Sequence, residues 1–160
     1  MTYYDVMVDV VDWLAWGQGD SLTGRGGWNY GPNYSYGDNS VAQWPVLGLI
    51  AAEQWGINAP AFVKSELNYW IDYIQNDSNG GSGYSHPTDW LLNIAKTGGL
   101  LVEMYFVGDD KDAPRAQQAI SYIQSRWPGT WMRTGFLSPP VHSWNSQPTD
   151  WTVPITHTFI

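Results

Sequence analysis

Apolar and polar positions recur along this chain at helical spacing. From Tyr3 to Trp16, the acids Asp5, Asp9 and Asp12 fall four and three residues apart and form one polar stripe. Val6, Val10, Trp13 and Leu14 lie elsewhere on the cylinder. Ala59 to Asn76 sets Val63, Leu67, Trp70, Ile71 and Ile74 against Lys64, Asn68, Asp72 and Gln75. Ala113 to Trp127 reads as a third amphipathic helix with Ile120, Ile123 and Trp127 inward. Pro60 and Pro114 suit a first helical turn. Two further segments are apolar nearly all round: Val41 to Trp55, whose only charge is Glu53, and Trp90 to Val107, which carries Lys96 and Glu103. Helices of that kind are buried on most sides. Pro45 predicts that the first of them starts late or bends.

Amphipathic and buried helices therefore alternate, and the sequence repeats with them. Tyr73-Ile74-Gln75 returns as Tyr122-Ile123-Gln124. Gly48-Leu49 and Glu53 align with Gly98-Gly99 and Glu103. Pro87-Thr88-Asp89-Trp90 returns as Pro148-Thr149-Asp150-Trp151, and Gly26-Gly27-Trp28-Asn29-Tyr30 is echoed by Gly80-Gly81-Ser82-Gly83-Tyr84. Each unit reads as amphipathic helix, Gly-Gly-aromatic loop, capping residues, buried helix. The units span about 1–56, 57–108 and 109–160 of a single domain. The chain begins inside a helical pattern and ends on apolar residues at Ile160, which predicts a segment of a longer protein.

Composition narrows the chemistry. Of 160 residues 14% are charged and 16% aromatic, with 11 Trp and 10 Tyr; net charge is −8. The seven basic residues are scattered, so the clustered cations of a nucleic-acid surface are missing, and no nucleic-acid partner is expected. The absence of cysteine removes disulfides, thiolate nucleophiles and thiolate metal sites. No apolar run reaches the ~18 residues of a membrane span. Met1 to Asp12, with three acids and no base, does not read as a signal peptide. The acidic balance and the abundance of Trp, Asn, Gly and Ser lean toward an extracellular or cell-surface location.

The run GGWNYGPNYSYGDNSVAQWPVLGLIAAEQWG resembles a prenyltransferase and squalene-cyclase type repeat, and GGSGYSHPTDWLLNIAKTGGLLVEMYFVG resembles the next one. The superfamily is that of the terpenoid cyclases and protein prenyltransferases. The resemblance implies an all-α fold of helical hairpin repeats, part of an α/α toroid or a curved α-solenoid. It implies no particular activity, since fold and chemistry separate easily. The Asp-x-Asp-Asp acid motif of squalene cyclases has no counterpart here. The zinc site of protein prenyltransferases needs a cysteine, so it does not carry over.

Several residues are candidates for chemistry. Asp109, Asp110 and Asp112 form the nearest acid run and have the residue type to hold magnesium and a diphosphate. Placed before Ala113-Pro114, they are expected instead to satisfy the free N–H groups and dipole of a helix start. Asp38-Asn39-Ser40, Thr88-Asp89 and Thr149-Asp150 each precede a buried helix and are expected to cap it. His86, His142 and His157, with Asp89 or Asp150, lack tight metal spacing and read as loop residues. Glu53 and Glu103 lie late in the two buried helices. They are weak candidates for a catalytic pair, and their apparent recurrence favours a structural role. Trp13, Trp44, Trp55, Trp70, Trp90 and Trp127 are expected in the core. Trp16, Trp28, Tyr30, Tyr34, Tyr36, Tyr84, Trp131, Trp144 and Trp151 fall in or near loops.

Alternating helices place every long loop at one end of the molecule, and the short turns at Gly56–Ala59 and Gly108–Ala113 at the other. A pocket lined by Trp28, Tyr30, Tyr84, His86 and Trp144 is expected at the loop end. The expected function is a non-catalytic ligand-binding or scaffold module for an apolar or carbohydrate ligand, with no cofactor. The alternative is an enzyme: a terpenoid cyclase or prenyltransferase homologue, or a glycan-active α/α-barrel hydrolase or lyase. Exposed apolar edges beside Tyr3–Trp16 and Thr152–Ile160 are expected to favour self-association or contact with the rest of a parent protein.

Overall fold

The computed structural model of the protein describes residues 1–88 and 91–127. Over these residues the chain is all-helical: α1 (Tyr3–Gly17), α2 (Asn39–Glu53), α3 (Ala61–Ile74), α4 (Ile94–Val107) and α5 (Pro114–Arg126). Among the described residues there are isolated β-bridges in the loops but no strand, and no helix is long and apolar enough to cross a membrane. The inner helices α2 and α4 pack on each other; α1 lies on α2, and α3 and α5 lie on α4, but α2, expected to be buried on most sides, exposes Trp44, Leu47 and Ala51. The core between them is built from Val46, Leu49, Leu67, Trp70, Ile71, Leu100 and Met104.

Each start has a local cause. At α1, Thr2 and Asp5 close a reciprocal capping box. At α2 the Asp38 side chain accepts from the Ser40 N–H, as the sequence predicts. That cap sets the first turn ahead of Pro45, so α2 does not start late, and the proline sits inside the helix. The second inner helix starts at Ile94, four residues later than expected, because Asn93 is its cap. Trp90 and the predicted cap Asp89 lie outside the described residues, as do the third cap, Thr149-Asp150, and the edge Thr152–Ile160.

The amphipathic faces are partly as expected. On α3 the stripe Val63, Leu67, Trp70, Ile71 and Ile74 is entirely buried. On α5 the inward face is rotated: Ala116, Ala119 and Tyr122 are buried, while Trp127 is exposed. The expectation that helix-face tryptophans form the core holds for Trp70 and is corrected for Trp13, Trp44, Trp55 and Trp127, which are exposed. Trp13 and Trp44 lie on helix surfaces, and Trp55 and Trp127 just past helix ends, where the described residues supply no covering layer.

Two units share one loop architecture. Gln18, the C-cap of α1, donates through Nε2 to the carbonyls of Gly26 (2.9 Å) and Val63 (3.1 Å). Gln75, the C-cap of α3, donates through Nε2 to the carbonyls of Gly80 (3.2 Å) and Arg115 (2.9 Å). In both places one amide ties the Gly-Gly loop to the first turns of the next outer helix. Around it the backbone repeats too. Gly19 and Gly27, and then Asn76 and Gly81, are joined by the same N–H to carbonyl bond at 2.8 Å. Gly26 and Gly80 donate back to Gly19 and Asn76 at 2.7 Å. Gly26 (φ 79°) and Gly80 (φ 77°) are left-handed and lie on the backbone of Glu66 and Gln118, where a Cβ has no room. Gly27 and Gly81 lie flat on the rings of Trp70 and Tyr122.

These contacts fix the repeat register. Trp70 answers to Tyr122, 52 residues on, so the match of Tyr73-Ile74-Gln75 with Tyr122-Ile123-Gln124 is out of register by three residues. Gln75 aligns instead with Trp127.

Gly27→Ala and Gly81→Ala should each destabilise the fold by about 1–3 kcal/mol, the cost of forcing atoms into a packed site. Gly98→Ala, in α4 with no neighbour within 4 Å of its Cβ position, should stabilise by about 0.5–1 kcal/mol. Urea unfolding of the three variants checks both signs.

Candidate functional site

The loop end is organised from beneath by one buried amide. Asn39, the first residue of α2, has no solvent exposure. Its Nδ2 donates to Ser82 Oγ at 2.8 Å and to the Lys96 carbonyl at 3.1 Å. Its Oδ1 accepts from Trp70 Nε1 at 3.1 Å, and its backbone N–H donates to the Tyr84 carbonyl at 2.7 Å. One side chain thus joins α2, α3, α4 and the second loop. Ser82 is held again by Thr97, whose Oγ1 accepts the Ser82 N–H at 3.1 Å. The Trp70 indole is closed on two sides by Gly27 and Gly37.

Above this floor the predicted aromatic residues separate. Trp28 is only 4% exposed, and its Nε1 donates to the Leu14 carbonyl at 2.9 Å. It is a packing residue below the surface, which corrects its expected place on a pocket wall. The Gly-Gly turn carries the next side chain inward, and the indole N–H finds a partner there. Tyr30 is 85% exposed and stands on the first loop with Tyr34 and Tyr36, whose rings meet edge to face at 5.7 Å. Tyr84 is on the second loop, with the Lys96 ammonium 3.4 Å above its ring centroid. His86 is exposed, takes the Thr88 hydroxyl at 2.9 Å, and meets the Tyr73 ring edge-on at 6.0 Å. The Tyr73 hydroxyl in turn donates to the Ser85 carbonyl at 3.2 Å. Tyr84 and His86 therefore share one loop and Tyr30 belongs to the other. Trp144, His142, His157, Trp131 and Trp151 lie outside the described residues.

The concavities are lined by other residues. One of about 290 Å³ lies at the second loop, between Asp77–Gly80 and α5, and has mostly polar side chains around it. Two others, of about 410 and 400 Å³, are lined by Leu101, Tyr105, Asp110 and Ile120, and by Ile50, Glu53, Lys64 and Phe106. Both reach the short-turn end, where little room was expected.

The acid run at the short turn is already partnered. Asp109 Oδ2 accepts from Arg115 Nε at 2.5 Å, and the same guanidinium reaches Asp72 at 2.8 Å and Asn68 at 2.7 Å. Asp110 accepts the Asp112 N–H at 2.9 Å, and Asp112 pairs with Lys111 at 2.7 Å. The expected side-chain capping is not what these acids do, since α5 starts at Pro114 behind the N-cap residue Ala113, with no side-chain cap. No group of three His, Cys, Asp or Glu residues with metal-holding geometry occurs among the described residues.

Glu53 and Glu103, expected as equivalents, differ. Glu53 is partly exposed and pairs with Lys64 at 2.8 Å. Glu103 is 0% exposed, and neither carboxylate oxygen has a hydrogen-bond partner. Counted from the caps Asp38 and Asn93, Glu103 corresponds to Gly48; counted from the closing glycines Gly56 and Gly108, it corresponds to Ala51. Among the described residues it is the one fully buried acid, and desolvation pushes its carboxyl well above the ordinary 4.5. Glu66 shifts the other way, lowered by its hydrogen bond to Arg25.

Comparison with protein-family models, with curated proteins and with solved structures found no match to this chain.

The two shifted acids act in separate pH windows. Folded Glu103 keeps its proton where the unfolded chain has released it, so its contribution is complete below pH 4.5 and is lost as pH rises toward its folded value. Glu66 contributes above 4.5 and is lost as pH falls through its lowered value. Glu103→Gln should therefore flatten the decline in thermal stability above pH 4.5 and leave the acid limb unchanged. Melting curves from pH 3 to 9, as roughly one-unit steps, check this.

Proposed function

We propose that this chain is a non-catalytic ligand-binding or scaffold module. Its hairpin repeats would be of the terpenoid cyclase and protein prenyltransferase kind, arranged as part of a toroid or curved solenoid. The ligand is an extended carbohydrate or apolar chain lying across the loop end. The observation that carries this reading is the outward display of Tyr30, Tyr34, Tyr36 and Tyr84 on loops that buried amides hold in place. Tyrosine offers a large, flat, amphipathic surface at low entropic cost, which suits the faces of sugar rings as well as hydrocarbon. Loops fixed from below lose little further freedom on binding. Of the two acids weighed for the enzyme alternative, Glu103 is sealed and Glu53 is held by Lys64.

Binding is measurable by tryptophan fluorescence and calorimetry against neutral oligosaccharides (cellohexaose, chitohexaose) and a soluble isoprenoid alcohol. Tyr30→Ala with Tyr84→Ala should weaken the bound probe about tenfold, the value of roughly one aromatic contact, while stability changes little. Failure of every probe to bind, or binding indifferent to both tyrosines, contradicts the proposal.

A further inference from the structure

The two Gln-centred loops define which residues of the outer helices correspond. Gln75 follows Gln18 by 57 residues, and at that offset Val6, Val10, Trp13 and Leu14 of α1 align with Val63, Leu67, Trp70 and Ile71 of α3. The pattern of spacing and residue type is the same in both. Their surroundings are not. Val63, Leu67 and Trp70 are 0% exposed, whereas Val6, Val10 and Trp13 are 42%, 49% and 54% exposed. What covers the α3 stripe is known. Gly26 lies on the Glu66 backbone, Gly27 and Gly37 close on the Trp70 ring, and Gln18 reaches the Val63 carbonyl. On the rim, Arg25 pairs with Glu66 at 2.7 Å and lies 3.6 Å over the Tyr69 ring. On α5 the corresponding Tyr122 is covered by Gly81 in the same manner.

We infer that the Val6–Val10–Trp13 face of α1 is the seat for the Gly-Gly turn of a further helical repeat of this same build, one with a basic residue just before its glycines. The inference rests on the repeat reading above. Trp13 needs a flat partner without side chains, as Trp70 has in Gly27 and Gly37. Asp9 stands where Glu66 stands, so the partner's basic residue meets an acid there. Two copies of α1 do not satisfy the face mutually, because Asp5, Asp9 and Asp12 would then oppose their like. The turns at Gly26-Gly27 and Gly80-Gly81 are already seated on α3 and α5.

The sequence supplies a direct probe. Repeating residues 1–57 ahead of Met1 puts a second Gly26-Gly27 turn 43 residues before Trp13, the separation of Gly27 from Trp70. In this extended chain Trp13 should resist N-bromosuccinimide oxidation, read by peptide mass spectrometry, about tenfold better than in the chain itself, and the α1 amides should exchange more slowly. Exchanging both glycines of the added turn for valine should restore the reactivity, and Arg25→Glu in the added unit should restore part of it. An added unit that stays unfolded overturns the inference. So does one that folds while Trp13 stays as reactive as before. Protection of Trp13 in the unextended chain as its concentration rises would assign the seat to a second copy and overturns the stated occupant. Loss of ligand binding in the Tyr30 and Tyr84 variants bears on the proposed function alone and leaves Trp13 protection unchanged.

Discussion

A side-chain amide that satisfies two backbone carbonyls at once is the constraint on which this structure depends. A Gly-Gly turn pressed against an aromatic ring excludes water from its own peptide groups, and a buried carbonyl without a donor costs about 1–3 kcal/mol. Gln18 and Gln75 remove that cost twice over, because each Nε2 donates one bond to the loop and one to the next outer helix. Both partners are carbonyls, so only one orientation of the amide works, and an isosteric carboxylate does not replace it. Asn39 performs a related task one layer deeper, joining α2, α3, α4 and the second loop. Polar atoms, rather than the apolar core alone, thus set how one hairpin sits on the next.

The same arrangement bears on function. Loops tied down by Gln18, Gln75 and Asn39 have their glycines and Trp28 directed inward, which leaves the tyrosines as the outward surface. Glu103 shows the opposite use of burial. It is an acid with no bonded partner in a helix that packs on all its neighbours, and it ties stability to pH without a route to substrate.

Much of the fold was legible in the sequence. The five helical segments follow from spacing, Asp38 from its place before an apolar run, and the α3 stripe from a 3.6-residue period. What escaped depended on neighbours. Trp13 and Trp70 have the same local pattern, and only the presence of a seated loop makes one buried and the other exposed. Similar words in the chain also misled. Tyr-Ile-Gln recurs, yet the packing register is three residues away, and Glu53 and Glu103 share a letter without sharing an environment. The signal that was available and unread is Val6-x3-Val10-x2-Trp13-Leu14-x3-Gln18 against Val63-x3-Leu67-x2-Trp70-Ile71-x3-Gln75. Of the aromatic residues expected at the loop end, Tyr30, Tyr84 and His86 lie exposed on loops, as their place in the chain indicates. Trp28 was misplaced because a loop residue in sequence is a floor residue once the turn folds under.

The account is tested most directly by replacing each clasp amide with its isostere and measuring unfolding free energy and hydrogen exchange together. Gln18→Glu and Gln75→Glu should each cost about 2–4 kcal/mol, since a carboxylate faces two buried carbonyls, with exposed Gln124→Glu near zero. Each should also release protection at once in its own Gly-Gly loop and in the first turns of the following helix. Stabilities within about 0.5 kcal/mol of the parent, the range of an ordinary surface change, would contradict the claim that these amides join the repeats.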